Sequence, residues 1–159
     1  MKSNTKIKAA TAAILVIAAV AAFLLLFVRQ PKLTLSNAET GRVYARLPLE
    51  EGESFSVTFR HSVNKSNVTE IYERRGNEIW LTGCVYYDFG AGVAEVLDPS
   101  WVLETGENGE MILSNIEMKM TDLTYIVGTV YDHILDIGGE EIILNQLCGR
   151  NTKVHFSIR

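Results

Sequence analysis

The sequence predicts an all-β domain, either an antiparallel β-sandwich or a barrel-like sheet, standing behind a single N-terminal transmembrane helix. Three observations lead there: a twenty-residue apolar run near the start, alternation of apolar and polar side chains over most of the remaining chain, and turn residues at short intervals.

Residues 9–28 contain Thr11 as their only polar side chain and no charge. As a helix rising roughly 1.5 Å per residue, such a run reaches about 30 Å, the thickness of a bilayer's hydrocarbon core. Lys2, Lys6 and Lys8 precede it, and all nineteen carboxylates lie beyond it. The positive-inside rule then puts residues 1–8 in the cytoplasm and residues 29–159 outside the inner membrane. A cleavable signal peptide has a shorter apolar core that ends at a small-x-small site. Here Ala19, Val20 and Ala21 offer such a site, but the apolar run continues past it from Phe23 to Val28, so the expectation is an uncleaved signal-anchor.

Beyond the span, apolar residues recur every second position. Val43, Ala45 and Leu47 interleave with Arg42, Tyr44 and Arg46, and Phe55, Val57 and Phe59 with Ser54, Ser56 and Thr58. The same pattern returns at Ile116, Met118 and Met120 and at Val154, Phe156 and Ile158. Period two is the mark of a half-buried antiparallel strand. Further strands are expected over residues 33–35, 69–74, 78–88, 124–131 and 141–147, separated by turns at Gly52, Gly76, Gly109 and Gly138. About eight to ten short strands with such punctuation imply a sandwich or a barrel. Residues 90–109, with Pro99 and Trp101, lack the pattern and read as one long loop.

Five of the fifteen cations (Lys2, Lys6, Lys8, Arg29 and Lys32) precede Leu33, which leaves ten against nineteen carboxylates in the β domain. A net charge of about −9 disfavours nucleic acid as a partner, because that binding rests on a cationic footprint. Cys84 and Cys148 are the only cysteines. Outside the cytoplasm they could form a disulfide, closing a loop worth about 4 kcal/mol in the chain-entropy account, or remain two small buried thiols.

The stretch from Phe59 to Tyr72 is the densest in polar chemistry. Alternation from Phe55 carries His61 onto the apolar face, where a buried imidazole needs partners, and Glu70 on the next strand is the expected one. The pair either clamps the turn between two strands or fixes a polar group in a ligand pocket. Catalysis by adjacent His61 and Ser62 fails on geometry, since neighbouring strand residues face opposite sides. The three histidines show no metal-ligand spacing, so neither metal nor cofactor is expected. Gly90 and Gly92, after Asp88, lack the third glycine and following helix of a dinucleotide loop and read as a tight turn beside a pocket mouth.

Two of these stretches together resemble a bacterial family. The His61-Ser62-Val63 core with Lys65, Ser66, Val68, Glu70 and Tyr72, followed by Phe89-Gly90-Ala91-Gly92-Val93, is similar to the pattern of the domain-of-unknown-function eighteen-fifty family. Asn67 and Ala94 stand where that pattern commonly has proline. The resemblance covers the chain from Leu33 onward and implies an N-terminal membrane segment. It also implies a place beside tripartite TRAP transporters of the TAXI class. The expected role is thus a membrane-anchored extracytoplasmic binding module, accessory to such a transporter and not an enzyme. The alternatives are a cell-envelope structural or assembly module and a hydrolase using His61 with Glu70 or Asp88.

Overall fold

The computed structural model describes residues 14–21, 23, 31–61, 65–87 and 98–159. The chain divides into two compact units, Met1–Gln30 and Pro31–Arg159. In the first, residues 14–21 and 23 are helical. The expected span at residues 9–28 lies partly outside the described residues, and no helix among those described is long and apolar enough to cross a membrane.

The second unit is built from antiparallel strands. In chain order they are β1 (Lys32–Asn37), β2 (Val43–Pro48), β3 (Ser54–Arg60), β4 (Asn67–Arg75), β5 (Glu78–Tyr86), β6 (Val102–Thr105), β7 (Met111–Met120), β8 (Leu123–Ile126), β9 (Ile134–Ile137), β10 (Glu140–Ile143) and β11 (Lys153–Ile158). They form a four-stranded sheet, β2-β1-β11-β8, and a seven-stranded sheet, β10-β9-β3-β4-β5-β7-β6. One apolar core is shared by both: Leu33, Leu35, Val154 and Phe156 from the smaller sheet pack with Phe55, Val57, Tyr72 and Leu135 from the larger. Phe55 stacks on Phe156 across the interface at 6.0 Å between ring centres. A second cluster of Tyr86, Met111, Leu113 and Ile116 continues the core under β5 and β7.

The alternation that predicts strands at Phe55, Val57 and Val154, Phe156 is the alternation observed, because each residue burying its side chain puts its neighbours on the opposite, less buried face. Three expectations need correction. Of the strand expected over residues 124–131 only the first part forms, as β8 ending at Ile126. Residues 141–147 are not one strand: β10 stops at Ile143 and a short helix, Leu144–Cys148, follows. It buries Leu144 completely and ends at Gly149, whose φ of +87° suits a residue without Cβ. The stretch read as a loop contains β6, whose four exposed residues carry no burial pattern because this edge strand is held by its ladder with β7 alone.

Candidate functional site

Directly opposed residues in antiparallel ladders share a face. From β9 to β7 the registers Leu135↔Val57, Val57↔Glu70, Glu70↔Cys84 and Cys84↔Leu113 make one continuous row. Leu135 and Val57 are fully buried in the inter-sheet core. Glu70 is therefore a carboxylate in the middle of the apolar face of the larger sheet. An ionised group in that position needs hydrogen-bond donors to offset lost hydration.

Two tyrosines supply them. Tyr72, two residues along β4 on the same face, donates to Glu70 Oε2 at 2.9 Å while its ring stacks on Phe55 at 5.2 Å. A β-bulge in the β4–β5 ladder, between Ile71 and Tyr72, lies at this spot, where such insertions re-aim neighbouring side chains. Tyr125 comes from β8 of the other sheet, held edge-on against Phe156 at 5.7 Å, and its hydroxyl donates to the same carboxylate oxygen. The two phenolic oxygens are 2.6 Å apart. Burial, followed by the charge of Glu70, raises the Tyr72 pKa. Burial, the Tyr72 neighbour and Glu70 together raise that of Tyr125. Both hydroxyls thus stay protonated donors at any physiological pH. The Cys84 thiol, opposite Glu70, is pushed up to about 12 by burial and by the same carboxylate.

His133, just before β9, completes the cluster. Its ring stacks on Phe59 at 5.5 Å and meets Tyr125 edge-on at 5.8 Å. The Gly128 N–H donates to its Nδ1 at 3.2 Å, and Leu144 N–H donates to its carbonyl at 2.9 Å. Burial lowers the His133 pKa against the opposing charges of Asp132 and Glu70. The ring is thus neutral near pH 7, an acceptor at Nδ1 and a donor at Nε2. Gly128 allows this: a Cβ there would lie 2.2 Å from the Tyr131 carbonyl oxygen.

Of the residues singled out in the sequence, Glu70, Tyr72 and Cys84 come together; Ser62, Asp88, Gly90 and Gly92 lie outside the described residues. Among the described residues the side chains bonded to Glu70 are Tyr72 and Tyr125, not His61. The β3–β4 register sets Glu70 opposite Val57, and His61 follows the end of β3. There its N–H donates to the Ser66 carbonyl at 2.8 Å and its carbonyl accepts from Lys65 N–H at 3.1 Å. The imidazole of the cluster is that of His133. The two cysteines are free thiols, not a disulfide. Cys84 packs on the Tyr86–Leu113 cluster, whereas Cys148 packs on the main core and turns its Sγ to the Leu144 carbonyl at 2.9 Å.

Chemically the cluster is one carboxylate ringed by protonated donors, with a protonated thiol and a neutral imidazole alongside. Such a set holds a polar group in place; an attacking thiolate or alkoxide has no source in it. Among the described residues no three of His, Cys, Asp and Glu converge as metal ligands. Tyr125 and His133 escaped the sequence reading, although Tyr125 follows Leu123 at strand spacing and so belongs to an inward-facing row.

An antiparallel two-sheet β domain with a tyrosine-clamped carboxylate between its sheets is the class defined by this geometry. The chain belongs to the family described as Domain of unknown function (DUF1850), whose model matches residues 55–144, from β3 to the start of the short helix. The match spans Glu70, Tyr72, Tyr125 and His133. No curated protein and no solved structure matches the chain.

Proposed function

We propose that the protein is a membrane-tethered binding module of the extracytoplasmic space, serving a TAXI-class tripartite transporter as an accessory subunit. The observation that carries the binding reading is the Glu70–Tyr72–Tyr125 cluster: hydrogen-bonding groups concentrated in the core, with His133 joining them to a cavity of about 290 Å³. Sites for small solutes have this form, a concave surface with a few convergent polar groups. The tether is supported by the apolar run at residues 9–28 with its preceding lysines, and the transporter by the family resemblance.

Crosslinking in native membranes with identification of the captured chains tests this reading. Capture of a TAXI-type solute receptor or membrane subunit is the expected result. Capture of envelope assembly proteins alone would replace it with a structural role.

A further inference from the structure

We propose that the cleft formed by Arg60, Lys65 and the loop of residues 128–133 binds a small organic carboxylate. The inference rests on the reading of the protein as a binding module and assigns the chemistry of what is bound.

The cleft has a volume of about 290 Å³, and its lining includes Arg60, Lys65, Thr129, Val130, Tyr131 and His133 but no carboxylate. Several other cations of this acidic domain are held by carboxylates. Arg75 meets Glu73 and Glu117, Lys119 meets Glu78, Arg150 meets Asp132 and Lys153 meets Glu39. Arg60 and Lys65, among the described residues, have no such partner. Instead both cations stand over the Tyr131 ring, the Arg60 guanidinium 4.7 Å and the Lys65 ammonium 5.9 Å from its centre.

The acid nearest in sequence to the cleft is held elsewhere. Asp132 is taken by Arg150 at 3.1 Å and by the Asn145 amide, and Arg150 also donates to the Gly128 and Thr129 carbonyls at 3.2 Å each. Arg60 is oriented from the other side: its Nε donates to the Lys65 carbonyl at 2.5 Å, leaving both Nη nitrogens for an incoming pair of oxygens. A guanidinium so held matches a carboxylate in two-point geometry. Tyr131 and Val130 offer an apolar wall to a short carbon body. A larger cavity, about 470 Å³ on the outer face of the smaller sheet, lacks this quality because two carboxylates line it, Glu39 paired with Lys153 and Asp122 facing His155.

Calorimetric titration of the solubilised full-length chain with succinate, and separately with inorganic phosphate, tests the assignment. Succinate should bind, more weakly as salt rises. Arg60→Gln and Lys65→Gln should each weaken it by about tenfold or more. Val130→Asp should abolish it while both cations remain. Absence of succinate binding, equal binding by the Arg60→Gln/Lys65→Gln double variant, or binding of phosphate in place of succinate would overturn the proposal. Succinate failing to bind while wild-type chain still captures a transporter subunit in membranes sinks this inference alone; failed capture sinks the functional reading.

Discussion

Tyr125, on the edge strand of the smaller sheet, donates a hydrogen bond to Glu70, on the central strand of the larger one. Fifty-five residues separate them in sequence. The bond therefore ties the two sheets at a point where a carboxylate would otherwise face an apolar layer.

Tyr125→Phe keeps the ring against Phe156, Phe59 and His133 and removes the hydroxyl alone. The expected cost is about 1–3 kcal/mol, the usual penalty for leaving a buried acceptor short of a donor. Glu70→Leu removes the acceptor too, so the double variant should lose clearly less than the sum of the singles. Urea denaturation of the four members of the cycle reads this coupling, and additive losses would show that the bond contributes nothing of its own.

Cys84 should be an inert thiol. With its pKa at about 12, the reactive thiolate makes up only about one part in ten thousand at pH 8. Iodoacetamide applied to the folded chain should leave Cys84 unmodified over a time that fully alkylates it in denaturant, as peptide mass spectrometry would show. Rapid native labelling of Cys84 would mean that Glu70 and the surrounding packing do not shield it.

Burial holds the His133 pKa below its ordinary value of 6.5, so the fold favours the neutral ring. Between that lowered pKa and about 6.5 the unfolded chain binds more protons than the folded one, and stability rises with pH there. Acidification from pH 7 should thus cost stability progressively as it passes below 6.5. His133→Asn, which keeps an acceptor for Gly128 N–H but does not titrate, should flatten this slope relative to wild type in melts taken from pH 5 to 7.5. Parallel pH profiles would exclude His133 as the source.

Half-buried strands announce themselves in the sequence: Phe55, Val57, Val154 and Phe156 alternate with polar residues because one face of each strand is dry. In the sequence Glu70 stands out as the nearest partner for His61, and Tyr72 through the family resemblance. Their partner does not, since what brings Tyr125 to Glu70 is the packing of two sheets, which no local spacing encodes. His61 looked like the partner only through nearness along the chain, and the β3–β4 register moves it past the end of the strand. The helix at Leu144–Cys148 was hidden because its apolar residues also suit the end of a strand.

Arg74 is a buried charge that alternation marks only as an inward position. Its side chain is almost fully enclosed and donates to the carbonyls of Leu49 at 2.5 Å, Gly76 at 2.9 Å and Pro31 at 3.2 Å. It thereby ties β4 to the chain segments before β1 and after β2. Arg74→Met fills similar space but leaves three carbonyls without this donor. A loss of about 3 kcal/mol or more is expected from thermal or urea denaturation, in line with other buried charges stripped of their role. An unchanged midpoint would show that water serves those carbonyls equally well.

Topology should obey the cations that flank the apolar run: Lys2, Lys6 and Lys8 stand before it and Arg29 and Lys32 after it. The positive-inside rule counts these cations and gives little weight to carboxylates, so orientation rests on three charges against two. Protease added to intact protoplasts should therefore digest the β domain, with a chain whose N-terminus remains at or near Met1. Because the margin is a single charge, replacing all three leading lysines with Gln leaves Arg29 and Lys32 as the flanking cations and should shift the population toward the reverse orientation. The β domain then becomes protected in a measurable fraction of molecules. Full protection in the wild type, or an N-terminus at Ala22 or beyond, would contradict the anchored, outward-facing arrangement; digestion unchanged by the triple substitution would show that something other than these charges sets it.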